Sequence, residues 1–195
     1  MVRARGESIV LTGFFGENVS GMVWFDNTLT TVIIVSLMLA ACADVATRTI
    51  PNGIVVIVAV AGLMVRLLMG LSAFAVSVAA AVVLFIFMLV LHARGLLGGG
   101  DAKLIPAIAL GLPLSSVSRF IFITVMAGGM LGLLHLLGRW ALHNRPPAAP
   151  PPRGASLLHR VFRAERWRIA RHGSLPYGVA IACGGIWVLM SRAGS

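Results

Sequence analysis

Asp44 and Asp101 are carboxylates set against long apolar stretches, and each sits in a short signature of its own. Asp44 opens Asp44-Val-Ala-Thr-Arg48-Thr-Ile50-Pro51-Asn52 at the end of a hydrophobic run. Asp101 closes Gly98-Gly99-Gly100-Asp101 and is followed by Ala102-Lys103. The other acids are Glu7, Glu17 and Asp26 near the N-terminus and Glu165 in a basic stretch. An ionisable group beside hydrocarbon is expensive, which makes it a functional candidate. Two carboxylates brought close cannot both stay ionised cheaply, so one keeps its proton. One can then take a proton from water while the other gives one to a carbonyl or a leaving amine. That is hydrolysis by an acid pair, and it needs neither a metal nor a thiol. The pair titrates as a unit, so the sequence does not say which aspartate is acid and which is base.

The neighbouring residues suit this chemistry. Gly98, Gly99 and Gly100 disfavour helix and leave backbone bare, so an extended substrate strand could approach and hydrogen-bond there. Asp101 is expected to begin the next helix, where free N–H groups favour an anion, with Lys103 near enough to bias it. Ile50-Pro51-Asn52 predicts a rigid turn, and Arg48 pairs with Asp44 if helix continues between them. Each motif alone has an ordinary explanation: a triple glycine is often a turn, an aspartate at a helix start an N-cap, and proline-asparagine plain turn chemistry. Their joint occurrence on one expected face favours the functional reading. Tyr177, in Leu175-Pro176-Tyr177-Gly178, reads as an interfacial anchor. The five histidines show no ligand spacing, and no metal or cofactor is called for.

The elements that must hold the pair are membrane helices. The chain is 58% hydrophobic and 11% charged, with a mean hydropathy of +0.96, outside the balance of soluble domains. Six apolar segments can be drawn, at 29–43, 54–70, 71–91, 104–115, 118–137 and 175–190. The fourth is short, interrupted by Pro106 and stopped at Pro113. The pI near 11.7 would suggest nucleic acid, but half of the 16 basic residues lie between Arg139 and Arg171. Such a cluster belongs to a membrane-facing loop, not a nucleic-acid surface. Six spans with both termini outside put that loop, Asp44 and Asp101 on the cytoplasmic side. The expected organisation is an extracytoplasmic tail over 1–27 and a membrane-embedded domain over 28–195. A basic loop at 139–173 holds a proline-rich spacer and then a stretch from Leu157 to Ile169 that either lies on an anionic leaflet or is solvated.

Leu39-Ala-Ala-Cys42 imitates a lipoprotein cleavage box, yet the flank before the apolar run is Asp26-Asn27 instead of basic. The run is therefore expected to be a retained first span, with Cys42 unmodified. Cys42 and Cys183 form neither a zinc site nor a disulfide framework.

With these residues in view, the chain resembles the type IV prepilin peptidases. The likeness lies in Asp44 with Ile50-Pro51-Asn52, in Gly98-Gly-Gly-Asp101-Ala-Lys103 and in Pro176-Tyr177-Gly178. It implies an integral aspartic endopeptidase of the bacterial inner membrane that removes a short basic leader from prepilins, cutting after a glycine. Asp44 and Asp101 match the family's catalytic pair. The implied partners are prepilin-like substrates, membrane lipids and the pilus assembly machinery. Larger members carry a four-cysteine cytoplasmic region and also N-methylate the new terminus. This sequence lacks those cysteines and looks like the short, peptidase-only branch associated with Tad/Flp pili. The Arg- and Pro-rich insert is not carried over from the family. One rival is a presenilin-type protease, but those resemble Tyr-Asp where this chain has Ala43-Asp44. The other is a small proton-coupled transporter or channel subunit, which should place its acids near the bilayer midplane.

Overall fold

Helix boundaries fall where helix is chemically disfavoured in the computed structural model, which describes residues 4–142 and 175–193. Helix α1 (Ala4–Thr47) ends where Arg48 turns to a positive φ of 58°. Its N–H then closes on the Asp44 carbonyl at 2.9 Å. Ile50, restricted by the proline after it, keeps the chain extended, and Pro51 opens α2 (Asn52–Leu68). Gly70, at φ 110°, separates α2 from α3 (Leu71–Ala93). Gly95, at φ 73°, ends α3, and Gly98 precedes α4 (Gly99–Leu110). Helix α5 is Leu114–Leu142 and α6 is Tyr177–Ala193. All the regular structure among the described residues is α-helical.

Among the described residues, three stretches are long and apolar enough to cross a membrane: Trp24–Thr47, Leu71–Ala93 and Leu114–Gly138. Helices α2 and α6 are apolar but shorter, 17 residues each, or about 25 Å at 1.5 Å per residue. Large apolar side chains face outward on several helices, among them Val83, Phe122, Met130 and Trp187, all more than half exposed. A surface of that kind suits hydrocarbon and not water.

Helix α4 is the inner element. From Leu104 to Ala109 every residue is buried, and Leu104, Leu37, Leu112, Phe120 and Ile181 are among the most enclosed side chains. Its 12 residues reach about 18 Å, short of the ~30 Å hydrocarbon core. The fourth segment nonetheless does not turn back. It runs alongside α2 in the same direction, with Lys103 beside Asn52 at one end and Gly111 against Gly62 further along. Pro106 does not interrupt it, contrary to the reading from sequence; proline costs one backbone bond, and the burial of residues 104–109 keeps the helix together. The other boundaries also shift. Helix begins at Ala4 within the expected tail, and α5 extends to Leu142, inside the stretch assigned to the loop. The spacer and the 157–169 stretch lie outside the described residues.

At the end of the bundle where α4 finishes, Arg66 is buried among neutral acceptors. Its Nε donates to Ser77 Oγ at 2.8 Å and its Nη2 reaches the Ala73 carbonyl at 3.5 Å. Ser77 Oγ in turn donates to the Leu112 carbonyl at 3.2 Å, and Arg192 Nη1 donates to the Gly111 carbonyl at 3.3 Å. These bonds fasten the ends of α2, α3, α4 and α6.

The α2–α4 crossing depends on Gly62. A β-carbon there would lie 2.8 Å from Gly111 N and 2.9 Å from Gly111 Cα, both backbone atoms with nowhere to go. Gly62→Val should therefore cost about 1–3 kcal/mol of stability. Gly53→Ala, on the same helix with open space around it, should be neutral or slightly stabilising. Thermal unfolding in detergent checks the pair; equal midpoints for both variants would refute the close crossing.

Candidate active site

Two connections meet at the other end of the bundle. The α1–α2 connection contributes Asp44, Arg48, Thr49, Ile50 and Asn52. The start of α4 contributes Gly98, Gly99, Gly100, Asp101 and Lys103. Together they line a cavity of about 260 Å³. Of the residues singled out from sequence, all but Pro51 line it. Pro51 acts one step back: it opens α2, and its carbonyl accepts the Ile54 N–H at 3.1 Å, which fixes where Asn52 begins. Asp44 and Asp101, far apart in sequence, are thus brought to one chamber by helices α1 and α4.

Asp44 is 6% exposed. Its Oδ2 accepts the backbone N–H of Gly178 at 2.8 Å, from the first turn of α6. A side chain at residue 178 would put a β-carbon 2.9 Å from Asp44 Cβ and 3.0 Å from Asp44 Cγ. Glycine is what lets the amide come this near. Tyr177, the residue before it, packs its ring over Gly128 of α5: a β-carbon at 128 would be 3.1 Å from Tyr177 Cε1. The α6 entry is therefore held between α5 and Asp44. Sequence reasoning noted Pro176-Tyr177-Gly178 as a likeness without finding its task. The available signal was a glycine directly after a helix start, where an N–H is free to bond elsewhere.

Asp101 lies in the first turn of α4, where unpaired N–H groups favour a carboxylate. The glycines before it do something other than the sequence suggested. Gly99 and Gly100 are already helical, and they are small because neighbours occupy the space. A β-carbon at 100 would sit 3.1 Å from Ile50 Cβ, and one at 99 would sit 3.3 Å from His92 Cε1. At 98 it would fall 2.8 Å from Asp101 Oδ2. The triple glycine thus packs α4 against the α1–α2 connection and leaves room for the Asp101 carboxylate. It does not offer open backbone at 99 and 100. His92, which sequence spacing set aside, has its Nδ1 2.9 Å from the Leu97 carbonyl and so ties the end of α3 to the approach to Asp101.

Helix stops at Thr47, with the Arg48 N–H still closing on the Asp44 carbonyl. Arg48 lines the cavity from its left-handed backbone position. Lys103 donates to Asn52 Oδ1 at 3.3 Å and bridges α4 to α2 at the cavity edge.

Asp101 lies outside the three membrane-length stretches, and its carboxyl is raised to about 6, first by burial and then by the neighbouring Asp44 charge. A site with one carboxyl titrating near neutrality beside another can hold a proton and give it up, as general acid–base hydrolysis requires.

A family model described as the type IV leader peptidase family matches residues 31–133, just over half of the chain and inclusive of both aspartates. No curated protein and no solved structure matches.

The raised Asp101 value makes a stability claim with a definite sign. A folded-state value above the ordinary 3.8 means that the fold binds this proton more tightly than the unfolded chain does. The contribution is complete below about pH 4 and is lost as pH rises through about 6. Asp101→Asn removes the penalty, so at pH 7.5 the variant should melt above wild type, and the gap should close as pH falls toward 4. A gap that is absent at pH 7.5, or that widens in acid, would contradict the buried, crowded carboxyl.

Proposed function

Because the chain belongs to the type IV leader peptidase family, we propose that Asp44 and Asp101 are its hydrolytic pair and that it cuts the leader from type IV, Flp-like prepilins. Family membership makes the protein a peptidase with leader-bearing, prepilin-like substrates as its kind of partner. Its apolar helices mark it as a membrane protein. The finer reading is supported by one observation above the others: the cavity that Asp44 and Asp101 line together, with polar residues of both connections around them.

In this reading the scissile peptide lies between the two carboxyls, one ionised and one protonated. The ionised carboxylate takes a proton from water as the water oxygen bonds to the peptide carbonyl carbon. The protonated carboxyl gives its proton to the carbonyl oxygen, forming a gem-diol. The first carboxyl then delivers its proton to the peptide nitrogen while the second takes back a proton from a gem-diol hydroxyl, and the C–N bond breaks, releasing a carboxyl terminus on the leader and a free amine on the mature chain. The pair ends with one proton, as it began. Lys103, on the cavity edge, places a positive charge near the pair without exchanging a proton. The eight arginines between Arg139 and Arg171 favour a cytoplasmic position for their loop under the positive-inside tendency. With an even number of crossings between, the aspartates share that face of the bacterial inner membrane.

Co-expression with an epitope-tagged prepilin, followed by N-terminal sequencing of the product, tests the reading. Wild type should yield a single new terminus at the leader junction. Asp44→Asn and Asp101→Asn should each abolish the product at normal abundance in the membrane, since an amide keeps the shape but cannot cycle the proton. Lys103→Ala should retain partial activity. Wild-type leader removal by either asparagine variant would overturn the assignment.

A further inference from the structure

Lys103 and Asn52 meet at the edge of the carboxylate cavity, and the chemistry of their bond fixes more than a distance. Lys103 Nζ donates to Asn52 Oδ1 at 3.3 Å. An ammonium has three donors and no acceptor, so it meets only the oxygen of a carboxamide. That leaves Nδ2, with both of its N–H groups, on the side of the amide turned away from Lys103. Asn52 is an exposed residue of the cavity wall, and among the described residues no acceptor meets its Nδ2. The backbone holds the residue in place, since Pro51 opens α2 and its carbonyl accepts the Ile54 N–H at 3.1 Å. One half of the carboxamide is committed to α4. The other half is open to whatever enters the cavity.

An extended peptide brings backbone carbonyls into the cavity on either side of the bond to be cut. Each loses hydration there unless a donor meets it. The two carboxyls are taken up with water and with the scissile carbonyl. Apart from them, the neutral side-chain donors lining the cavity among the described residues are Thr49 and Asn52. Thr49 is already engaged. Thr47 Oγ1 gives its proton to the Ala43 carbonyl at 2.9 Å, so the 2.9 Å bond between the two threonine hydroxyls uses the proton of Thr49. We propose that Asn52 is a substrate-binding residue that donates from Nδ2 to a peptide carbonyl beside the scissile bond. Lys103 is then a positioning residue, acting through Asn52 by holding its oxygen and so turning the nitrogen toward the substrate. The inference rests on the peptidase reading and adds what is recognised at this point of the wall: the backbone of the substrate and not a side chain.

A strut between α2 and α4 would need the Asn52 oxygen alone, and that difference supplies the test. Asn52→Asp keeps the bond to Lys103 and removes the donor, whereas Asn52→Leu removes both. Leader removal from the tagged prepilin is measured with purified enzyme from pH 5 to 8. Both variants should lose about tenfold in peak kcat/KM, and Lys103→Met on top of Asn52→Leu should cost nothing more. Lys103→Arg, which still donates to Oδ1, should stay closer to wild type than Lys103→Met. The loss should be equal on two prepilins that differ in the side chains flanking the cut. Wild-type peak activity in Asn52→Asp overturns the proposal, whether its optimum stays in place or only moves with the added charge. So does a further loss from Lys103→Met in the Asn52→Leu background, or a loss confined to one prepilin. Failure here is separable from failure of the function: wild type that removes the leader while Asn52→Asp matches it refutes the donor and keeps the peptidase pair. Wild type that leaves the leader uncut refutes the function itself.

Discussion

A carboxylate buried next to hydrocarbon is costly unless hydrogen-bond donors meet it. For Asp44 one such donor is the Gly178 amide at 2.8 Å, and much of the arrangement follows from that bond. The amide can come so near because residue 178 has no side chain. It is available because it belongs to the first turn of α6, whose N–H groups have no helical partner. That turn is in turn steadied by Tyr177 against α5. Helices α1, α5 and α6 thus converge on one carboxylate, while α4 carries the other to the same cavity.

The second carboxylate has its own supporting geometry, read in the triple glycine. Ile50, His92 and the Asp101 carboxylate itself each take the place of a missing β-carbon, so the start of α4 seats directly on the α1–α2 connection. The two ends of the bundle divide the polar work. One end gathers cations on neutral acceptors, with Arg66 and Ser77 fastening helix ends. The other gathers the acids. Between them lies apolar packing around α4, which keeps the polar groups of each end away from lipid.

The helices, their order and the meeting of Asp44 with Asp101 were legible in the sequence, because apolar runs punctuated by Gly70, Gly98, Pro51 and Pro113 leave few alternatives. What was not legible depends on close approach. A glycine used as a turn and one used because a neighbour fills its space look alike in sequence, so the helical start at Gly99 was missed. Pro106 reads as a breaker unless one knows that it is buried with its neighbours from Leu104 to Ala109. The stop at Thr47 turns on a single positive φ at Arg48, a conformation that local composition does not announce. The Gly178 amide carries no side-chain signature at all.

The central claim is that Asp44 and Asp101 act as one hydrolytic unit, and a double-mutant cycle on the purified enzyme tests it most directly. The rates of leader removal would be compared for wild type, Asp44→Asn, Asp101→Asn and the double variant. A shared proton predicts that each single change costs nearly as much as both together, because either loss leaves the other carboxyl without a partner. Losses that multiply in the double variant, as they do for independent residues, would contradict the account.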